Sequence, residues 1–392
     1  MGSRHVSKLV TARHRRVSWL ASASLGGVTA LFVPSCSSEL ATPPTSGPPS
    51  ELTTDGEPGV DAAPDAAVPI DARHGGDAEP ATAAYANPVF AQDFPDPFIL
   101  PAADRYYAYA TNAAGKNVRA ASSTDLATWT ELPDALPLLG SWAKSNASLT
   151  WAPSVLQRGD RYVLYYTARD IASGFQCIGR AIAESPAGPF VDDTAKPFIC
   201  QVTEPNALCG SIDASPFVDT NGDAYLLWKS DENAQACAGN ARLWTQRLGV
   251  DGISLLAAPT ELLQRDRTWE HPLIEGPSML KVGTVYFLFY SANWYESASY
   301  GVGYATCATP FGPCEKRTQD GPLVGSSGEA LGPGGQEFFT DAKGRTWMAY
   351  HAWSSPLVGY DQGGARSLRI DPIDFEGGVP KLSGPTTSTR PL

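Results

Sequence analysis

Positive charge is sparse in this chain. Its 392 residues carry 29 Lys and Arg against 41 Asp and Glu, a formal net charge of −12. Five basic residues (Arg4, Lys8, Arg13, Arg15 and Arg16) precede Cys36, where no acidic residue stands, so the remainder lies near −17. An acidic body repels a phosphate backbone, which excludes nucleic acid as a partner and leaves a neutral polysaccharide free of that penalty. Histidine is scarce too, with five in the chain, and none stands at zinc-ligand spacing with the seven cysteines. That argues against a metal held through sulfur. The apolar segment from Val17 to Val33 is too short and wrongly flanked for a transmembrane anchor. From Ser37 to about Ala84 apolar periodicity is absent; Pro, Ala, Gly, Ser, Thr and Asp dominate, and the stretch reads as a disordered tether.

The N-terminus has the form of a secretion signal. A basic region ends at Arg16, an apolar segment follows, and small residues lead to Ser35-Cys36. The arrangement resembles a bacterial lipoprotein signal, in which Cys36 is lipidated and becomes the first mature residue. An ordinary cleaved signal with an incidental cysteine is the alternative, and the surroundings of Arg15-Arg16 fit a twin-arginine signal poorly. The expected organisation is a signal over 1–36, a linker over 37–84 and one folded domain over 85–392. The protein is expected to be bacterial, secreted or held at the cell envelope, to touch a membrane only through its lipid, and to be a monomer.

The folded region is a repeat. Phe94-Pro-Asp-Pro-Phe-Ile-Leu100 sets an acidic residue between two prolines ahead of an apolar run, with Tyr106-Tyr-Ala-Tyr-Ala110 as hairpin partner. The flanking prolines predict an extended backbone at Asp96. The pattern returns at Trp151-Ala-Pro-Ser-Val-Leu156, Asp213-Ala-Ser-Pro-Phe-Val218, Glu275-Gly-Pro-Ser-Met-Leu280 and Gly335-Gln-Glu-Phe-Phe339, each leading into a second apolar run. The first large apolar residues (Phe98, Val155, Phe217, Met279, Phe338) step by 57, 62, 62 and 59 residues. Short strands repeating at roughly 40–50 residues or a little more mark a propeller-type array. Five units of about four strands predict an all-β, five-bladed β-propeller. Outer strands are expected around Val118–Ser122, Cys177–Ala183, Arg242–Gln246 and Tyr300–Ala305, and the last blade is expected to end with Leu368–Ile373 and Val379–Leu382. Asp219-Thr-Asn-Gly-Asp223 and Asp341-Ala-Lys-Gly344 read as turns, not calcium loops. With Cys36 lipidated, six cysteines remain in an exported chain, which favours disulfides. They allow fifteen connectivities; nearest-neighbour pairing gives Cys177–Cys200, Cys209–Cys237 and Cys307–Cys314.

In a propeller the innermost strand of each blade lines the central channel. Asp96, Asp213 and Glu275 each sit at or just before an innermost strand, in three different blades, so the repeat predicts three carboxylates around one axis. Like charges brought together resist joint ionisation, which lets one carboxyl stay protonated while another is ionised. Glycoside hydrolysis needs that division, an acid for the leaving oxygen and a base for water.

Phe94-Pro-Asp-Pro-Phe, Trp151-Ala-Pro-Ser, Ser211-Ile-Asp-Ala-Ser-Pro-Phe, Glu275-Gly-Pro-Ser and Tyr350-His-Ala-Trp353, in this order, resemble glycoside hydrolase family 43 from about Ala86 to the C-terminus. The resemblance implies a five-bladed propeller that hydrolyses arabinose- and xylose-containing glycans with inversion. It implies Asp96 as general base, Glu275 as general acid, and Asp213 as the residue that tunes and orients the acid. An inverting pair needs roughly 6.5–9.5 Å between its carboxyls. The resemblance also implies Arg366 as a holder of sugar hydroxyls and His351 near the channel axis, binding waters or a central Ca2+ or other cation; no cofactor is required. Trp151 and Trp294 offer flat apolar faces to a sugar. Trp129, Trp228 and Trp347 read as packing residues.

The expected activity is release of α-L-arabinofuranosyl units from plant polysaccharide. β-Xylosidase and endo-arabinanase are the alternatives within the family, and the absence of a sequence for an added β-sandwich favours arabinose. A sugar-binding propeller without catalysis would keep Trp151 and Arg366 but would not need three converging carboxylates. A protein-interaction scaffold would expose apolar patches and form no deep acidic pocket.

Overall fold

Short runs of β-branched and aromatic residues, punctuated every few residues by Gly, Pro, Asn and Asp turns, cannot build helices of any length and pair locally instead. The structure, a computed structural model, describes residues 83–145, 149–202, 208–233, 237 and 239–392. The expected signal segment with Cys36, and all but the last two residues of the expected linker, lie outside the described residues.

Five antiparallel sheets follow one another along the chain. Blade one comprises Phe98–Ala102, Arg105–Ala110, Arg119–Ser123 and Thr130–Glu131. Blade two comprises Trp151–Arg158, Arg161–Arg169 and Gln176–Ala183. Blade three comprises Ser211–Val218, Ala224–Ser230, Arg242–Leu248 and Leu255–Gln264. Blade four comprises Ile274–Val282, Val285–Ala292, Gly301–Cys307 and Cys314–Lys316. Blade five comprises Ala330–Thr340, Thr346–Ser354 and Ser367–Glu376. The first strand of each blade packs on the first strand of the next, and that of blade five on that of blade one, so the five inner strands form a ring. The protein is a five-bladed β-propeller, as the repeat predicts.

The ring is closed by the start of the folded region. Phe90–Asp93 pairs with Ser367–Glu376 at Leu368 and Ser367, supplying blade five with an outer strand. Val379–Leu382, the outer strand expected from sequence, does pair with Ser367–Glu376, but along its other end, from Ile373 to Glu376. Ala84–Tyr85 then pairs with Arg390–Pro391. Asn87 fastens the join: its Nδ2 donates to the Ile370 carbonyl at 2.8 Å, and its Oδ1 accepts the Ile370 N–H at 3.0 Å.

The core is divided among the blade interfaces, because successive side chains of a strand face opposite sides of its sheet. Phe98, Tyr109, Val155 and Leu164 fill the space between blades one and two. Leu156, Tyr165, Leu226 and Trp228 fill that between two and three. Phe217, Leu227, Met279 and Leu288 lie between three and four, Phe289, Met348 and Tyr350 between four and five, and Ile99, Trp347 and Leu368 between five and one. Trp129, Trp228 and Trp347 are buried packing residues, as expected. The Asp219 and Asp341 segments are turns, closed by Asp219 N–H to the Asp223 carbonyl and Asp341 N–H to the Arg345 carbonyl. The three disulfides are Cys177–Cys200, Cys209–Cys237 and Cys307–Cys314, the nearest-neighbour pairing.

One regularity is invisible in the hydrophobic pattern. Near the start of each inner strand the backbone takes a positive φ: 52° at Asp96, 41° at Ala152, 57° at Asp213, 55° at Gly276 and 59° at Gly335. In blades two to five the strand pairing slips at the same place, between Trp151 and Ser154, Ile212 and Ser215, Glu275 and Ser278, and Gly334 and Glu337. Such bulges re-aim the side chains beside them. At Asp96 this overturns the extended backbone that Pro95 and Pro97 predict. Tertiary partners outweigh the local preference: the Asp96 N–H donates to His351 Nδ1 at 3.0 Å, and the Thr111 N–H donates to the Pro95 carbonyl at 3.0 Å. A non-glycine residue held at positive φ is strained, and such strain gathers at functional sites.

Candidate active site

The bulged ends of the inner strands open on one cavity of about 930 Å³. Asp96 enters it from blade one, Trp151 from blade two, Asp213 from blade three, Glu275 from blade four and Glu337 from blade five. Arg366 and Trp294 complete the wall from loops, and Trp294 is 44% exposed at the rim. The structure therefore brings together Asp96, Asp213, Glu275, Trp151, Trp294 and Arg366, all chosen from sequence.

His351 stands elsewhere. It is wholly buried behind Asp96, is not part of the cavity wall, and stacks on Tyr300 with ring centroids 5.9 Å apart. Its Nδ1 accepts the Asp96 N–H, and its Nε2 has no partner among the described residues. Burial, and then the neighbouring Arg366 cation, push its pKa down to about 3, so the ring is neutral. Cys36 lies outside the described residues.

Each carboxylate has its own surroundings. Asp96 is enclosed, and burial pulls its pKa up. Arg366 Nη1, 3.4 Å from Oδ1, and the Thr111 hydroxyl, donating to Oδ2 at 2.6 Å, outweigh that pull and hold it below the ordinary carboxylate value. Arg366 is itself fixed: its guanidinium lies 4.8 Å from the Tyr295 ring centroid, its Nε donates to the Tyr360 hydroxyl at 3.0 Å, and its backbone N–H donates to Asp93 Oδ1 at 2.9 Å. Asp213 goes the other way. Burial first, and then the charge of Glu275, raise its pKa to about 8, although the Gly276 N–H donates to its Oδ2 at 3.0 Å. Glu275 accepts the Tyr300 hydroxyl on Oε1 at 2.7 Å and the Lys229 ammonium on Oε2 at 3.2 Å. One cavity thus holds a carboxyl favoured as the anion beside another favoured as the acid, the separation that acid–base chemistry requires.

Lys229, Tyr300, Thr111 and Glu337 were not found by sequence reasoning. Glu337 had a signal: it directly precedes Phe338, one of the aligned repeat residues, and burial raises its pKa to about 8. Lys229 had a weaker one, a cation closing the apolar run Tyr225-Leu-Leu-Trp228. Tyr300 and Thr111 sit among many similar residues, and nothing local marks them.

The profile of glycosyl hydrolases family 43 matches residues 85–380. The chain is 29% identical over 329 residues to a probable arabinan endo-1,5-alpha-L-arabinosidase A of Aspergillus flavus, covering 76% of this chain and 94% of that protein. It is 28% identical over 274 residues to a beta-D-galactofuranosidase of Aspergillus niger, covering 64% of this chain and 74% of that protein. The crystal structure of a thermostable family-43 glycoside hydrolase superimposes with a TM-score of 0.69 at 30% identity, over 78% of this chain and 98% of that one.

Proposed function

The chain belongs to glycosyl hydrolases family 43, and from that footing we propose that it removes α-L-arabinofuranosyl units from arabinose-containing plant polysaccharide, with inversion at the anomeric carbon. The observation that carries this reading is the convergence of Asp96, Asp213 and Glu275 on one cavity, where Arg366 and Thr111 favour the Asp96 anion and burial and mutual repulsion keep a proton on the Asp213–Glu275 pair. Asp96, kept ionised by Arg366 and Thr111, takes a proton from a water as the water attacks the anomeric carbon. Glu275 gives a proton to the glycosidic oxygen as that bond breaks. Asp213, fixed by the hydrogen bond it accepts from the Gly276 N–H, resists joint ionisation with Glu275, so that a proton is kept on the pair, and in this way tunes and orients Glu275. Attack from the face opposite the leaving group inverts the configuration. Trp151 and Trp294 stack on sugar faces and Arg366 holds hydroxyls. A sugar-binding role alone would give no reason for this convergence of carboxyls.

Cleavage within an arabinan chain is a second reading. A volume of about 930 Å³ leaves room for more than one pentose, and the Aspergillus flavus relative bears an endo-arabinosidase name.

The test is hydrolysis of aryl α-L-arabinofuranoside, β-D-xyloside and β-D-galactofuranoside, beside linear and branched arabinan, by wild type and Glu275→Gln. Turnover of the arabinofuranoside by wild type, lost in the variant, is the expected result. Equal turnover by both, or turnover of the xyloside alone, removes this reading. The anomer first released, followed by NMR, reports inversion.

No cofactor enters this scheme. The donor set beside Asp96 suits a cation poorly as a direct partner of His351. With Nδ1 accepting a hydrogen bond, the neutral ring carries its proton on Nε2, which is then a donor. We place the enzyme outside the cytoplasm, which suits three disulfides, as a monomer of a bacterial cell envelope held by a lipid on Cys36.

A further inference from the structure

Lys229 lies in Ala224–Ser230, a strand in which every residue is buried, and its side chain is 1% exposed. A buried ammonium is costly unless it is paired. This one is clamped between two carboxylates, its Nζ 3.2 Å from Asp231 Oδ1 and 3.2 Å from Glu275 Oε2. The other oxygen of Glu275, Oε1, accepts the hydroxyl of Tyr300 at 2.7 Å. The two oxygens therefore meet donors of different kinds. An ammonium has protons to give and no lone pair to receive one, whereas a hydroxyl can donate or accept. When Glu275 takes up a proton, Oε2 must remain an acceptor for Lys229. Oε1, away from the ammonium, can carry the proton: at rest Tyr300 can turn its own hydrogen away and accept it, and when the proton goes to the leaving oxygen Tyr300 can donate to the other lone pair of Oε1.

Building on the reading of Glu275 as the acid, we propose that Lys229 is its positioning residue: the ammonium fixes the rotation of the Glu275 carboxyl and confines its proton to Oε1, the oxygen offered to the leaving group. Asp231 is the counter-charge that shares the ammonium and limits how strongly it favours the Glu275 anion. The titratable groups around Glu275 are Lys229, Asp231 and Asp213 from blade three, Tyr295 and Tyr300 from blade four, Glu337 from blade five and Asp96 from blade one. Among the described residues, Lys229 is the cation in contact with Glu275. Removing it makes the Glu275 proton harder to lose. An acid works only while protonated, so the falling, alkaline limb of the pH profile then moves to higher pH. Removing the Asp231 charge strengthens the hold of Lys229 and moves that limb to lower pH.

The experiment uses the full-length enzyme and a series of aryl glycosides of the sugar that wild type cleaves, from phenyl to 2,4-dinitrophenyl. A phenolate of low basicity leaves without an acid. Lys229→Met is expected to lower kcat/KM about ten- to a hundredfold on the phenyl glycoside, and by no more than about threefold on the dinitrophenyl one, with the alkaline limb moved up. Lys229→Arg, which keeps the charge, is expected to restore most of the loss. Asp231→Asn is expected to move the limb down, and it decides the matter if Lys229→Met does not fold. Equal losses across the series with an unmoved limb, or an unmoved limb in Asp231→Asn, overturn the proposal. If instead Glu275→Gln keeps full activity on the phenyl glycoside, the assignment of the acid itself has failed.

Discussion

Nδ1 of His351 accepts the backbone N–H of Asp96 at 3.0 Å, across 255 residues of intervening chain. The bond ties the second strand of blade five to the residue that leads into blade one, and it holds Asp96 at a φ of 52° that its flanking prolines do not favour. A buried histidine serves here as a splint for a backbone.

His351→Phe keeps the ring and removes the acceptor, leaving the Asp96 N–H unpaired. A loss of about 1–3 kcal/mol in stability is expected, the usual penalty for an orphaned buried donor. The kcat is expected to fall more than KM rises, since the proposed base loses its placement. Urea unfolding and steady-state kinetics on one preparation measure both, and unchanged values refute the splint.

Arg366 holds the Asp96 carboxyl below the ordinary value. A base works only when ionised, so activity rises as pH climbs through its pKa. Arg366→Gln removes the cation, raises that pKa and moves the ascending limb of kcat/KM to higher pH. A limb that stays in place shows that another group sets it.

Asp213 binds its proton more tightly in the folded state, with a pKa raised from 3.8 to about 8. Its contribution to stability is fully present below about pH 4 and is lost as pH rises towards 8. Asp213→Asn carries no such loss. The variant is expected to gain stability relative to wild type between pH 5 and 8, by a few kcal/mol at most. Urea midpoints at those two pH values give the comparison, and parallel changes in both proteins contradict it.

Gly335 has a φ of 59°, and a Cβ built there would lie 2.7 Å from His351 Nδ1 and 2.9 Å from Asp96 Oδ1. Gly344, at a φ of 81°, has open space around it. Both alanine variants carry backbone strain of about 1 kcal/mol. Only Gly335→Ala is expected to lose most of its activity, because only there does the methyl group push on the Asp96 carboxyl. Gly335→Ala is also expected to lower the melting temperature more than Gly344→Ala, since its methyl group meets the buried His351 ring; equal kcat values in the two variants refute the prediction.

The repeat was legible because each blade must offer an apolar first strand to its neighbour, and that demand is local in sequence. Phe98, Val155, Phe217, Met279 and Phe338 mark it directly. Asp96, Asp213 and Glu275 could be read from the same register. The bulges could not be, since a positive φ at Ala152 or Asp213 is imposed by tertiary hydrogen bonds and leaves no compositional trace. Nor could the contribution of Phe90–Asp93 to blade five, whose partner lies at the far end of the chain. Lys229 was missed for a related reason. A lone cation after an apolar run is common, and its meaning comes only from Asp231 and Glu275 on either side of it.

Because Ala84–Tyr85 lies alongside Arg390–Pro391, the two ends of the folded region are neighbours. A short peptide could join them, and new ends could be cut between blades four and five, at the exposed Gln319-Asp320 in the loop from Lys316 to Ala330. In such a circular permutant all five blades would be built from continuous chain, with Phe90–Asp93 following directly on the strands it now reaches only by closing the circle.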